Sequence, residues 1–206
     1  SDSVTTPGVL LDKTLSFNTH TSAVCKSAYF HIRALRHIRP ALTDEMASTL
    51  AVSVVQSRLD YANSVLFRSP SYNIRRLQRV QNTLARVVLR TTSHLPSPPL
   101  LHYLHWLPID KRIQFKIATL TYKTLSVEQP IYLRSLLHDY QTSRQLRSAS
   151  QQLLSVPFIT SDFGRRCFSY SAPNLWNKLP LDLRTCSSLN SFKRQLKTFL
   201  YNQTAK

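Results

Sequence analysis

The sequence predicts a mainly α-helical protein, a helical bundle followed by a second helical region with a few short strands. Apolar residues recur at the helical period of about 3.6 residues in several segments, most clearly over residues 74–88, 109–126 and 188–201. Hydrophobic residues make up 42% of the chain, which suffices for a core and excludes a disordered basic tail.

The first predicted elements are a short strand and a helix. The run GVLLDKTLSF, residues 8–17, is strand-like and has a turn at Asp12 and Lys13. A helix is expected from Thr21 to just before Pro40, because proline cannot comfortably continue it. Its apolar side consists of Val24, Ala28, Ile32, Leu35 and Ile38, and its opposite side carries Lys26, Arg33 and His37.

A second helix is expected from Thr43 to about Phe67. Thr43 is typical of an N-cap, and the carboxylates of Asp44 and Glu45 follow it in the turn where the helix dipole favours negative charge. The segment is mostly apolar, which predicts that it is the central helix of the bundle. A break at Pro70 ends it.

The third predicted helix has an apolar side and a basic side. Residues 74–88 read IRRLQRVQNTLARVV, and the apolar side consists of Leu77, Val80, Leu84, Val87 and Val88. At about 100° of rotation per residue, the opposite side carries a stripe roughly 60° wide, made of Arg75, Arg79, Arg86 and Arg90. Such a stripe is either a solvated surface or a contact for a polyanion.

The middle of the chain contains a predicted boundary and a long helix. The Pro/Ser-rich run SHLPSPPLL, residues 93–101, indicates a linker or a domain boundary. A helix is then expected over 109–126, where Arg112, Lys116 and Lys123 share one edge.

The last part of the chain combines helices with strand-like pieces. A short helix over 130–138 is followed by a polar loop over 140–152. The pieces LLSVPF (153–158) and CFSYS (167–171) are strand-like, and an amphipathic helix over 188–201 ends the region.

The charge balance points to an anionic partner. The formal net charge is +17, and the 27 cations divide into 18 arginines and 9 lysines. Arginine forks match phosphate oxygens bidentately, which lysine cannot do. Nucleic acid is the first candidate, an anionic membrane surface the second, and a role as a basic extracellular protein the third. Three widely spaced cysteines favour a reducing compartment, so an intracellular location, nuclear or cytoplasmic, is expected.

No pattern of catalytic or cofactor-binding residues is visible. Gly8 and Gly164 are the only glycines, which excludes the glycine-rich phosphate loops, and no apolar run is long enough to span a membrane. Two-metal catalysis needs converging carboxylates. The adjacent pair Asp44 and Glu45 is better explained by helix capping, and Asp60 lies alone inside a predicted helix.

Other candidate sites have simpler interpretations. His102 and His105 have a spacing that could bind zinc, but no cysteine pair stands nearby. Trp106 and Trp176 are expected to anchor cores, and the cysteines are expected to be buried thiols. We therefore expect no catalytic residues, no metal site and no cofactor in this chain, which is not an enzyme in isolation.

Several segments together resemble the region that follows the polymerase palm in LINE-type (non-LTR) retrotransposon reverse transcriptases of vertebrates. They occur in the family's order and cover nearly the whole chain: HIRALRHIRP (31–40), SRLDYANSVLF (57–67), IRRLQRVQNTLARVV (74–88), LHWLPIDKRIQFKIATLTYKTL (104–125), APNLWNKLPLDLR (172–184) and FKRQLKTFL (192–200).

The resemblance implies a division into three parts. Residues 1–17 would be the end of the palm, 18–92 a helical thumb and 93–206 the C-terminal region. The catalytic aspartates and their Mg²⁺ would belong to a palm upstream, so the chain would be an excerpt whose partners include the missing palm and fingers. RNA, DNA or an RNA–DNA hybrid would be gripped by the basic helices, and membranes would not be partners.

Two functional hypotheses follow. The first is a nucleic-acid-binding fragment of an RNA-directed DNA polymerase, and the second is a non-catalytic structural or protein-interaction fragment of a decayed or domesticated element. Under the first, phosphates would be contacted by Lys26, Arg33, Arg75, Arg76, Arg79, Arg86, Arg90, Arg112, Lys116 and Lys123.

Overall fold

A computed structural model describes residues 3–91, 95–141 and 151–203 of the chain. The fold is mainly α-helical with one small antiparallel sheet, as the sequence predicts. It divides into two compact units, Ser1–Arg112 and Ile113–Lys206. The division therefore falls after Arg112, within a helix, and not in the Pro/Ser-rich segment near residues 92 and 93.

The first unit begins with a hairpin of β1 (Ser3–Thr6) and β2 (Val9–Asp12), in which Thr6 lies opposite Val9. The predicted strand over 8–17 is thus shorter than expected and has a partner that its own pattern did not indicate. Gly8 has a φ of 77° in the turn, and a Cβ at this position would collide with the ring of Tyr61. The Tyr61 hydroxyl donates to the carbonyl oxygen of Pro7 at 3.0 Å, which fastens the hairpin to the helices.

Helix α1 (Asn18–Ile38) continues into a 3₁₀ turn over Arg39–Ala41. The next helical rod contains α2 (Asp44–Leu50), a π-helical segment (Ala51–Gln56) and α3 (Ser57–Asp60). The expected N-cap is confirmed, because the Thr43 hydroxyl accepts a hydrogen bond from the amide of Met46 at 3.2 Å.

Two details of these helices differ from the sequence prediction. The second helix ends at Asp60 instead of Phe67, because Ala62 has a left-handed φ of 49° and a separate 3₁₀ turn, Asn63–Leu66, follows. Ile38, expected on the buried side of α1, is exposed, because the helix passes there into the turn that begins at Arg39.

Helix α4 (Ser71–Val88) runs parallel to α1. The Asn73 side-chain amide donates to Asn18 Oδ1 at 2.9 Å near the beginning of both helices. Near their ends, Arg39 Nε donates to the carbonyl oxygen of Val88, also at 2.9 Å. The rod of α2 and α3 runs antiparallel to α1, since its beginning contacts Arg39 and its end contacts Ser27 through Arg58. The predicted apolar side of α4 is confirmed as buried.

Arg39 joins three elements at one end of this bundle. Its side chain is almost fully buried, and Nε and Nη2 both donate to the carbonyl oxygen of Val88, the last residue of α4. Nη1 donates to the carbonyl oxygen of Leu42 at 2.9 Å, and Nη2 also pairs with the exposed carboxylate of Asp44. Because the last carbonyls of a helix have no partner within it, this arginine satisfies a buried acceptor that α4 itself leaves open.

The Pro/Ser-rich segment differs from the linker that was expected. Residues 92–94 lie outside the described residues, and helix α5 (Ser97–Tyr103) begins within the run. Its two prolines stand in the first turn, where the missing N–H groups are not needed for helix hydrogen bonds. Two glutamines of α4 hold the chain that follows, Gln81 by donating to Leu107 O and Gln78 by accepting from the amide of Ile109, each at 2.9 Å.

The second unit begins within α6 (Ile109–Val127), whose bounds match the prediction closely. Its further helices are α7 (Ile131–Arg134), α8 (Phe168–Trp176), α9 (Leu181–Arg184) and α10 (Leu189–Asn202). A 3₁₀ turn, Gly164–Arg166, precedes α8.

The two strand-like pieces are corrected by the structure. The piece over 153–158 makes one isolated antiparallel bridge, Leu154 to Asp139, and the piece over 167–171 enters helix α8. Most of the predicted polar loop, residues 142–150, lies outside the described residues.

Aromatic rings form the core of the second unit. Tyr122 stacks on Phe192 with ring centroids 4.4 Å apart, and Trp176 contacts Phe192 at 6.1 Å. Trp176 and, in the first unit, Trp106 are both buried, as expected. Of the cysteines, only Cys25 is buried, whereas Cys167 is exposed at the turn that begins α8.

Replacing Arg39 tests the role of this buried side chain. We expect Arg39→Met to lower the free energy of unfolding by about 2–4 kcal/mol, because the carbonyl of Val88 is left without a charged donor. Asp44→Asn removes only the exposed partner and should lower it by about 1 kcal/mol or less. Urea unfolding followed by circular dichroism measures both, and equal effects would contradict this assignment.

Candidate nucleic-acid interface

Helices α1 and α4 carry seven Lys and Arg residues and no acidic residue. We call this set the basic face; it consists of Lys26, Arg33, Arg36, Arg75, Arg76, Arg79 and Arg86. Five of its members are exposed and two, Arg76 and Arg86, are half-buried. Because no carboxylate stands on either helix, the charge of the face is not compensated locally.

One contact fixes how the two helices face each other. Arg76 Nη2 donates to the Ser22 hydroxyl at 2.9 Å, across the seam between α4 and α1. At about 100° per residue, Lys26 and Arg33 lie within about 40° of Ser22, on the flank of α1 that adjoins α4. Arg79 is exposed and lies about 60° from Arg76 around α4, so cations of both helices flank the seam between them.

The dimensions of the basic face suit an extended polyanion. Lys26 and Arg36 are about 15 Å apart along α1, and Arg75 and Arg86 are about 16 Å apart along α4, at about 1.5 Å per residue. These lengths span between about four and five steps of a nucleic-acid duplex at about 3.4 Å per step. Because the helices run parallel, the two rows of cations extend over a comparable distance side by side.

The predicted stripe of four arginines is only half formed. Arg75 and Arg79 are exposed as expected, but α4 ends at Val88 and Arg90 adopts a left-handed φ of 51° beyond it. Arg90 Nη2 instead donates to main-chain carbonyls of the turn after α1, including that of Arg39 at 3.1 Å. Arg86 Nη2 is likewise engaged, by the hydroxyl of Ser97 at 2.9 Å.

A pocket of about 510 Å³ lies at the end of the basic face. Its lining contains Thr83, Thr91 and no carboxylate. It also contains four arginines, Arg36, Arg39, Arg86 and Arg90. The carboxylate of Asp44 offsets the charge of Arg39, whereas Arg90 donates to main-chain carbonyls, which do not cancel its charge. The pocket therefore extends the positive surface from α4 to the end of α1.

Arg112 does not belong to the basic face. Its Nε donates to Asp60 Oδ1 at 2.8 Å and its Nη2 pairs with Oδ2, so the guanidinium is held bidentately. The side chain is only 16% exposed. Its predicted role in binding nucleic acid gives way to a structural one, since the pair ties the beginning of α6 to the end of α3.

The other two predicted cations of α6, Lys116 and Lys123, are exposed and lie in the second unit. Sequence reasoning missed Arg36 and Arg39. Arg36 follows Arg33 by one helical turn, a signal that was available, whereas the carbonyl of Val88 that accepts from Arg39 is 49 residues away.

Other kinds of site find little support in the part of the chain that the structure describes. No group of three potential metal ligands occurs among those residues, and both His102 and His105 are exposed. Within the same residues, no helix is both long and apolar enough to cross a membrane.

Comparisons of the chain with family models, with curated proteins and with solved structures found no match.

The assignment of Arg112 is tested against its neighbour on the same helix edge. We expect Arg112→Met to lower the free energy of unfolding by about 1–3 kcal/mol, because Asp60 is left without its bidentate partner. Lys116→Met, an exposed change of the same charge, should alter it by about 0.5 kcal/mol or less. Chemical denaturation measures both. An effect of Arg112→Met as small as that of Lys116→Met would contradict the structural role of Arg112.

Proposed function

We propose that this chain binds nucleic acid through the basic face, by contacts to backbone phosphates. The observation that carries the proposal is the presence of seven cations and no acidic residue on two adjacent parallel helices. The phosphate backbone supplies most of the affinity when a protein neutralises several phosphates in this way.

The composition of the face favours binding that is independent of sequence. Six of its seven cations are arginines, whose guanidinium forks fit phosphate oxygens. Contacts to phosphates position a duplex without reading its bases. A surface of this kind suits a protein that must hold any sequence that passes over it.

The resemblance to LINE-type reverse transcriptases gives this binding a specific context. In that context the first unit acts as the thumb, which grips an RNA–DNA hybrid or target DNA during reverse transcription primed at the target site. Catalysis and its Mg²⁺ would belong to a palm outside this chain, and the protein would work in the nucleus or cytoplasm. Lys116 and Lys123 would add phosphate contacts from the second unit.

Exposed apolar side chains favour a second candidate, a protein-interaction module. Phe30 and Ile38 on α1 and Val52 in the π-helical segment are 68%, 46% and 45% exposed. A surface of this kind fits contact with another protein domain, such as the missing palm. Phe30 lies one helical turn from both Lys26 and Arg33, so a protein contact there and nucleic-acid binding would share this part of α1.

A triple substitution tests the proposed function. We expect Arg33→Gln, Arg75→Gln and Arg79→Gln together to weaken binding to duplex DNA, RNA hairpin and RNA–DNA hybrid alike. The slope of log affinity against log salt should become shallower by about one unit for each phosphate that the variant no longer neutralises. Binding titrations at several salt concentrations measure both quantities, and thermal unfolding verifies that the variant is folded.

The matched control removes three exposed cations from the second unit, by Lys178→Gln, Arg194→Gln and Lys197→Gln. It changes the net charge equally, so its affinity should fall less and its salt slope should stay close to that of the unmodified chain. Equal weakening in the two variants would show that only net charge matters. An unchanged slope in the first variant would contradict the assignment of the basic face.

A further inference from the structure

Arg184, the last residue of α9, is a buried cation without a hydrogen-bonded counter-charge. Its residue is 7% exposed, and its Nε and Nη1 atoms are buried and have no hydrogen-bond partner. Burial lowers the pKa of this guanidinium, which nevertheless stays protonated at neutral pH. A buried charge is normally paired, because loss of hydration is otherwise uncompensated.

Four acidic residues belong to the second unit, and two of them, Glu128 and Asp182, are exposed on its surface. Asp139 pairs with Arg134 at 3.7 Å, and Asp162 pairs with Arg165 at 3.8 Å. No ion pair of Arg184 occurs among the residues that the structure describes. The sequence of residues 142–150, TSRQLRSAS, contains no acidic residue that could supply one.

Arg184 lines a pocket of about 400 Å³ whose walls combine polar groups with apolar and aromatic side chains in similar measure. Tyr122, Leu154 and Trp176 contribute to these walls. The Tyr122 hydroxyl donates to the carbonyl oxygen of Cys186 at 2.8 Å, and Trp176 Nε1 donates to that of Gln152 at 3.0 Å. Because their polar atoms are already satisfied, these rings offer the pocket mainly carbon surface.

The pocket is held open by a defined framework. Asn177 accepts from the amide of Leu154 at 2.9 Å and donates to its carbonyl at 2.8 Å, as a neighbouring strand would. On its other side the same segment is bonded to residues 138–140, with Ser155 N donating to His138 O at 2.7 Å. This wall of the pocket is thereby fixed on one side by the Asn177 side chain and on the other by main-chain hydrogen bonds.

The charges of the lining favour a singly charged ligand. Arg134 and Asp139 both line the pocket and offset each other, which leaves the single positive charge of Arg184. A carboxylate carries one negative charge and pairs with a guanidinium through charge-assisted hydrogen bonds, whereas a phosphomonoester carries nearly two negative charges. We propose that this pocket binds a small monocarboxylate with an apolar or aromatic body, whose carboxylate pairs with Arg184.

The test uses benzoate as the probe and the full chain as the protein. Saturable binding should shift the Nε–H resonance of Arg184 in a ¹⁵N-resolved NMR titration and change the fluorescence of Trp176. Benzamide has the same shape without the charge, and acetate has the charge without the body, so each should bind at least about tenfold more weakly, a difference of about 1.4 kcal/mol or more. Inorganic phosphate tests the other common oxyanion.

Arg184→Met should abolish the response to benzoate, and Arg194→Met, at an exposed arginine of α10, should preserve it. The NMR shift in the unmodified chain decides the matter even where the Arg184 variant fails to fold. The proposal is overturned by an unmoved Nε–H resonance, by equal binding of benzamide, or by phosphate binding as tightly as benzoate. These readouts do not depend on nucleic acid, so they succeed or fail separately from the proposed function.

Discussion

The first unit depends on the parallel packing of α1 and α4, and on Arg39, which stabilises the junction of their C-terminal ends. Parallel helices bring their C-terminal ends together, and each end carries a partial negative charge of about half a unit. Arg39 stands at this junction and donates to the last carbonyl of α4, while Arg90 donates to carbonyls of the turn after α1. The same packing aligns the cations of both helices on one surface, so the basic face follows from the fold.

Sequence reasoning succeeded where a long apolar period decides the structure. Helices α1, α4, α6 and α10 were predicted with nearly their observed bounds, because each buries one continuous side. It failed where the local backbone conformation of one or two residues determines where a helix begins or ends. Nothing in the mostly apolar run after Thr43 indicated that Ala62 would turn left-handed, and the prolines near residue 98 suggested a linker although they begin a helix.

In the candidate site, too, the features set by local periodicity could be predicted, and those set by contacts distant in sequence could not. The exposure of Arg75 and Arg79 follows from local periodicity, and it was predicted correctly. Arg112 finds its partner 52 residues away, and such a pair cannot be inferred from helix spacing. Arg39 is further from prediction still, since a buried arginine is rare and is explained only by acceptors from two segments, the carbonyl of Val88 and the stretch from Leu42 to Asp44.

The absence of acidic residues from α1 and α4 also affects the unbound protein. Cations on adjacent helices repel one another more strongly in the compact state than in the extended chain, so this repulsion destabilises the folded protein when no polyanion is bound. Dissolved ions screen this repulsion over a distance of about 10 Å at about 0.1 M. Added salt that dissociates a bound polyanion therefore raises the folding stability of the free protein. Ionic strength thus raises the stability of the fold and lowers the affinity of its complex.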